Sequence, residues 1–256
     1  MQLPKITVVT ASYNQARFIG ETLESVWRSG YPNLEHIVVD GGSSDGSVCI
    51  IRSYADRLSW WVSEPDGGHT QGLIKGFSRA TGDILCWLNS DDLFEPWTLR
   101  EVGHFFLAHP EVRAAYGDAT WIDPEGRRVR PKKEHSFNRF IWTYAHNFIP
   151  QPSTFWRRDL YLEVGGLNPD FELAMDADLW SRFADVTPLV HVPRLWSRMR
   201  LYPQQRNQRF RARSNHEDLM VRRRWIGAEG RLSCRAKYFL AKGMRVGWKL
   251  CTQCYW

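Results

Sequence analysis

The chain lacks several features, and each absence narrows what it can be. No run of about 18 apolar residues occurs anywhere in it, so no transmembrane helix is expected. Its five cysteines are few and odd in number, and their spacing makes no disulfide framework. Cys49 and Cys86 sit inside apolar runs and read as reduced core residues. Cys251-x-x-Cys254 lacks the second ligand pair that a zinc site requires. The opening Met1-Gln-Leu-Pro-Lys5 leads straight into a strand-like run, leaving no room for a signal peptide, so a cytoplasmic location is expected. No G-x-x-x-x-G-K-[ST] run exists. Gly41-Gly42-Ser-Ser-Asp-Gly46 fails the G-x-G-x-x-G pattern, because Ser43 stands at the third place and the stretch follows the second strand, not the first. P-loop and dinucleotide-dehydrogenase chemistry are set aside on these grounds. There is no internal repeat and no low-complexity linker.

What the chain does contain is alternation. A composition 43% hydrophobic and 24% charged is that of a globular protein, and 256 residues suffice for one large α/β domain or two small ones. Ile6–Ser12 reads as a buried strand and Tyr13-Asn14 as a turn. Ile19, Leu23, Val26 and Trp27 then fall on one helix face. Leu34–Asp40, Leu58–Ser63 and Asp83–Leu88 read as further strands, with a short helix and then Thr70–Arg79 between them. This alternation predicts an α/β, doubly wound, mostly parallel sheet with flanking helices. Ligands collect at the carboxyl ends of strands in such sheets, where Tyr13, Asp40, Asp66 and Asp91-Asp92 all lie. Beyond Pro96 the pattern gives a helix over Trp97–His109 and a strand over Ala114–Asp123 turning at Pro124-Glu-Gly126. A strand at Gln151–Trp156, a helix ending at Gly165-Gly166, a helix from Asp176 and a last edge strand over Pro188–Leu195 follow. Residues 1–204 form the expected main domain, and 205–256 a basic helical extension.

The run Ile84, Leu85, Trp87, Leu88 ends abruptly in Asn89-Ser-Asp-Asp92. Two adjacent carboxylates at the end of a buried strand are costly unless something compensates them. Two readings follow. A hard divalent cation, Mn²⁺ or Mg²⁺, takes oxygen ligands and bridges to phosphates. Alternatively, one of the pair caps a helix starting near Pro96.

Six motifs occur in order: Thr10-Ala-Ser-Tyr-Asn14, Val38-Val-Asp-Gly-Gly-Ser-Ser-Asp-Gly46, Ser63-Glu-Pro-Asp-Gly67, Ala80-Thr-Gly-Asp83, Leu88-Asn-Ser-Asp-Asp92 and Asp176-Ala-Asp-Leu-Trp180. In that set and order the chain resembles the family 2 glycosyltransferases of the GT-A fold, inverting enzymes that use nucleotide-sugars. The resemblance implies that Tyr13 packs on the nucleobase, Asp40 hydrogen-bonds the base edge and Asp66 lines the donor pocket. It implies that Asp91 contacts the ribose and that Asp92 ligates a Mn²⁺ or Mg²⁺ bridging the diphosphate. Asp176 matches the family's catalytic base, with Asp178 the alternative two residues on. The family usually has an acid where Met175 stands and often a histidine where Tyr202 aligns; both departures fall on the metal and acceptor side. Lys75 reads as either a phosphate contact or part of a solvated helix face, and His69 and His191 as structural. The implied partners are a nucleotide-sugar donor, a UDP-sugar, and a glycan or lipid-linked acceptor in surface-polysaccharide synthesis.

Charge is distributed unevenly. From Arg198 to Trp256 there are 15 Lys/Arg against three acids, a net +12, which leaves −6 on the rest of a +6 chain. The mixed basic and aromatic tail suits an interfacial helix on anionic lipid, hence a peripheral place at the inner membrane face. No recognition motif for nucleic acid accompanies it. Two rivals to the transferase reading predict different features. A sugar nucleotidyltransferase would want a basic, Gly-rich loop where Ala11-Ser-Tyr-Asn14 stands. A carbohydrate-binding module would use the 13 tryptophans as sugar platforms and leave Asp92 and Asp176 unexplained.

Overall fold

The computed structural model describes residues 2–226 and 231–251; Cys254, and with it the Cys-x-x-Cys pair, lies outside them. Strands β1 (Ile6–Ser12), β2 (Leu34–Asp40), β3 (Trp60–Ser63) and β4 (Ile84–Trp87) are parallel, in spatial order β3-β2-β1-β4. Every residue of β1 and β4 is buried, which is why these strands read as continuous apolar runs without alternation. Helices α1 (Ile19–Trp27), α2 (Ser47–Ser53) and α3 (His69–Arg79) make the crossovers. α3 presses closely on β1: a Cβ on Gly76 would come within 2.4 Å of Val9 Cγ1, so that crossing needs glycine.

Beyond β4 the sheet becomes mixed. β8 (Thr154–Arg157) runs antiparallel between β4 and β6 (Ala114–Ile122). β9 (Leu189–Arg200) is parallel to β6, and the short β5 (Leu93–Phe94) closes the edge. β7 (Arg128–Lys132) forms the expected hairpin with β6, with Gly126 at φ 80° in its turn. The flanking helices are α4 (Thr98–Ala108), α5 (Arg139–Tyr144), α6 (Arg158–Glu163) and α7 (Met175–Val186). The expected α/β sheet is therefore present, parallel through its first four strands and mixed beyond them.

Three local expectations are corrected. β9 is neither short nor at the edge: it runs on to Arg200 between β6 and β5. Its register against β6 slips between His191 and Leu195, around Pro193, which has no N–H to give the ladder. Gln151–Ser153 is a 3₁₀ turn, and the strand begins only at Thr154. Cys49 is exposed on α2, while Cys86 is buried as expected.

The tryptophans mostly build the core. Trp87, Trp156 and Trp180 stand 5.4–5.6 Å apart between β4, β8 and α7, joined by Phe77 and Phe183. Buried aromatics of this size dominate core energetics, and rings at 0–1% exposure offer no sugar platform.

The C-terminal helices dock on this body. α8 (Arg206–Arg209) leads to α9 (Arg211–Ile226), which lies on α7, with Val221 buried and Trp225 against Trp142 at 5.0 Å. α10 (Arg231–Cys251) lies against α5, with Ala241 fully buried. Among the described residues, no helix is long and apolar enough to cross a membrane.

Candidate active site

Parallel pairing sets Ser12 opposite Asp40 and Asp40 opposite Ser63, so the polar strand ends share one rim. Tyr13, just past β1, is 62% exposed. The turn that carries it is pinned: Asn14 takes φ 51°, its N–H donates to Ser43 Oγ (2.7 Å), and its Oδ1 accepts from Ser44 N–H (2.9 Å). A ring left in solvent on a fixed turn is an open stacking face.

Asp40 is buried, and its oxygens are engaged. Oδ2 accepts from the N–H groups of Gly42 (3.1 Å) and Ser43 (2.8 Å) and from Ser63 Oγ (2.8 Å); Oδ1 accepts from Ser43 Oγ (2.6 Å). Asp40 shapes the loop after β2, and a base-edge contact would have to share these lone pairs. Asp66 accepts from Gly68 N–H (2.9 Å) and lies in a slot between Gly41 and Gly72. A Cβ at either glycine would meet its carboxylate at 3.1 or 2.9 Å. With Gly67, Gln71, Ile74 and Lys75 it lines a shallow cleft. Lys75 itself is paired with Glu64 (2.6 Å).

The Asp91-Asp92 pair closes the rim after β4. Asp92 is 4% exposed. Its Oδ1 accepts from the Arg200 backbone N–H (2.9 Å), and its Oδ2 from Asn89 Nδ2 (3.3 Å). Burial and then the Asp91 charge push its carboxyl well above the usual carboxylate range. Asp91 Oδ2 accepts from Tyr202 Oη (2.9 Å). Among the described residues neither acid has an ion-pair partner: Arg200, fully buried beside them, directs its guanidinium to Glu21 (2.9 Å) and to the carbonyls of Asp91, Asp123 and Pro124. Arg200 offsets Asp92 only through space, and two adjacent carboxylates that no described cationic side chain pairs with suit a hard divalent cation that completes its shell with phosphate and water. Among the described residues no cluster of three or more acidic, His or Cys side chains offers a cation a complete cage.

The two candidates for the base differ sharply. Asp178 is 2% exposed and accepts from Arg182 Nε (2.9 Å) and Nη2 (2.6 Å), with Arg224 3.6 Å away. Asp176, in the first turn of α7, is half-buried and accepts only an amide N–H from the Asn147 side chain (3.1 Å) among side chains. Burial, reinforced by the nearby Asp218, pushes its pKa up to about 6. The loop ahead of it is held from α9: Glu217 Oε2 accepts from the N–H groups of Glu172, Leu173 and Ala174 at 2.7–3.1 Å. The helices after residue 205 thus help to place Asp176. Asn89 also donates to Gln151 Oε1 (3.0 Å).

Arg200, Asn147 and Glu217 had no signal in the sequence, since each acts across a long separation; Tyr202 was visible only as an aligned departure. His69, expected to be structural, begins α3; burial and then the Arg206 charge lower it to about 4, so it is neutral. His191 pairs with Asp118 (2.9 Å), away from this rim.

A parallel half-sheet carrying its polar groups on one rim, extended by a mixed half that supplies an acid from a helix start, is the build of GT-A-type transferases. TarS 1–349 from S. aureus, solved with UDP-GlcNAc, superposes with a TM-score of 0.66 over 93% of this chain and 79% of that one, at 16% identity. The mannosyltransferase PcManGT from Pyrobaculum calidifontis, solved with GDP-Man and Mn²⁺, gives 0.66 over 94% and 70%, at 20% identity. At these identities the likeness is one of fold. In sequence, residues 7–165 match the model of glycosyl transferase family 2. The uncharacterized glycosyltransferase Rv1514c of Mycobacterium tuberculosis is 30% identical over 183 residues, 71% of this chain and 69% of that protein. The chain belongs to glycosyl transferase family 2 and is a glycosyltransferase. The O-antigen biosynthesis protein RfbC of Myxococcus xanthus is 29% identical over 72% of this chain, which spans only 15% of that protein.

Proposed function

We propose that this enzyme moves a sugar from a UDP-sugar to a hydroxyl of a glycan or lipid-linked acceptor, with inversion, in surface-polysaccharide synthesis at the inner face of a membrane. The observation that carries the reading is the Asp91-Asp92 pair at a strand end, with Asp92 buried and neither acid in an ion pair among the described residues. Asp92, with Asp91 beside it, would hold the divalent cation. When bound, the cation neutralises charge growing on the leaving diphosphate. Tyr13 stacks on the base and Asp66 lines the donor cleft, while Asp40 sets the shape of the loop beneath them. The UDP-GlcNAc and GDP-Man complexes of the structural neighbours and the name of RfbC support donor and pathway class.

Asp176 takes the proton of the acceptor hydroxyl. As that oxygen bonds to the anomeric carbon, the bond to the diphosphate breaks and its electron pair leaves with the nucleotide. One displacement without a covalent intermediate inverts the centre. A raised pKa makes Asp176 a stronger base than an ordinary carboxylate yet leaves it ionised at pH 7. A thermal-shift screen of nucleotide-sugars with Mn²⁺ will show the largest rise for a UDP-sugar. NMR of the product then gives a β-linkage from an α-linked donor; a retained linkage would rule out this mechanism.

A further inference from the structure

α10 is inside out for a surface helix. Three of its charged residues face the protein: Arg245 and Lys249 both reach Glu134 at 3.1 Å, and Lys237 Nζ approaches Tyr144 Oη at 3.3 Å. Its opposite side is apolar. Leu232, Phe239, Val246 and Leu250 fall along one stripe and are 87, 59, 41 and 58% exposed. Ala236, Gly243 and Gly247 lie between them, also exposed. A surface helix normally turns the other way, with its apolar stripe toward the core.

We infer that this outward stripe of α10 seats the enzyme on an anionic lipid surface. Charge selects the occupant. Residues 231–251 contain no Asp or Glu, and Arg235 and Lys242 are exposed at the border of the stripe. A second copy stacked symmetrically on this face would oppose these cations with no acid on the helix to offset them. Lipid headgroups carrying negative charge accept Arg235 and Lys242 while the stripe enters the acyl boundary. At roughly 1.5 Å per residue the helix lies flat along the surface for about 30 Å. It also sits next to the chemistry. Trp248 stacks on His135 (5.1 Å) and His135 on Phe148 (4.3 Å), one residue from the Asn147 that holds Asp176. Only this placement of a lipid-linked acceptor beside the base rests on the proposed function; vesicle binding needs no donor and can fail separately.

The test is flotation of the full chain with vesicles of phosphatidylcholine alone and with phosphatidylglycerol added. The wild type floats with anionic vesicles and far less with neutral ones. Phe239→Ser with Val246→Ser lowers that binding at least roughly tenfold, since about 0.8 kcal/mol is lost per CH₂ withdrawn from the acyl region. Arg235→Gln and Lys242→Gln lower it roughly fivefold each, and less in high salt. Val129→Ser, at an exposed apolar position on β7, leaves it unchanged, and unaltered melting temperatures show that the variants fold. The inference is overturned if the wild type stays off anionic vesicles, or if the double serine variant binds like the wild type. It is also overturned if light scattering shows a dimer that this variant splits.

Discussion

Glu134, under α10, and Asp92, at the end of β4, are both buried carboxylates, treated in opposite ways. Glu134 is met by Lys132 (2.9 Å), Arg245 (3.1 Å) and Lys249 (3.1 Å). Burial alone would raise its pKa, but the three cations overcome that and hold it at about 2. Asp92 accepts from a backbone N–H and an amide, with another acid beside it; the Arg200 charge lowers it, but burial and Asp91 outweigh that and push it up. The first arrangement fastens a helix. The second leaves the acids without an ion pair at a rim where a cation and diphosphate would complete it, which is stability given up for function.

The largest expected effect falls on the base. Asp176→Asn will lower turnover by about 10²–10⁴-fold with UDP affinity unchanged. Wild-type activity will fall as pH drops through about 6. Because this carboxyl is raised in the folded state, its charge destabilises the fold above about pH 6 and not below its unfolded value near 4. Asp176→Asn will therefore melt higher than wild type at pH 8 and equal to it at pH 3. Glu134→Gln inverts this behaviour. It should destabilise by roughly 3–5 kcal/mol, leaving one buried and two partly buried cations without their acid, while donor affinity holds. Glu134 is lowered in the fold, so its contribution is present above about 4.5 and lost as pH falls toward 2. Chemical denaturation across pH reads both. Asp178→Asn, which loses the Arg182 pair, should cost about 1.5–3 kcal/mol in stability but keep the wild-type pH profile. A turnover loss as large as that of Asp176→Asn would move the base to Asp178.

The legible parts were those whose signal is contiguous. β1 to β4 announced themselves as apolar runs ending in polar residues, and parallel topology alone carries Tyr13, Asp40, Asp66 and Asp91-Asp92 to one rim. The second half resisted because its determinants lie far apart in the chain. Arg200 reaches Asp92 across 108 residues, on a strand that runs five residues past the Leu195 where its pattern read as ending. Glu217 orders the loop before Asp176 from some 44 residues away. The Asp176/Asp178 choice had one local clue, Arg182 four residues after Asp178, while Arg224 and Asn147 come from far along the chain. The basic tail read as charge meeting an anionic surface, yet Arg245 and Lys249 are engaged by Glu134, a partner 111 residues upstream of Arg245.

Calorimetric titration of UDP into wild type and Asp92→Asn, each with Mn²⁺ and with EDTA, tests the central claim most directly. The uncompensated pair predicts that chelation weakens wild-type binding by roughly 100-fold, about 2.7 kcal/mol, and that Asp92→Asn binds equally weakly under both conditions. Equal wild-type affinity with Mn²⁺ and with EDTA would contradict it.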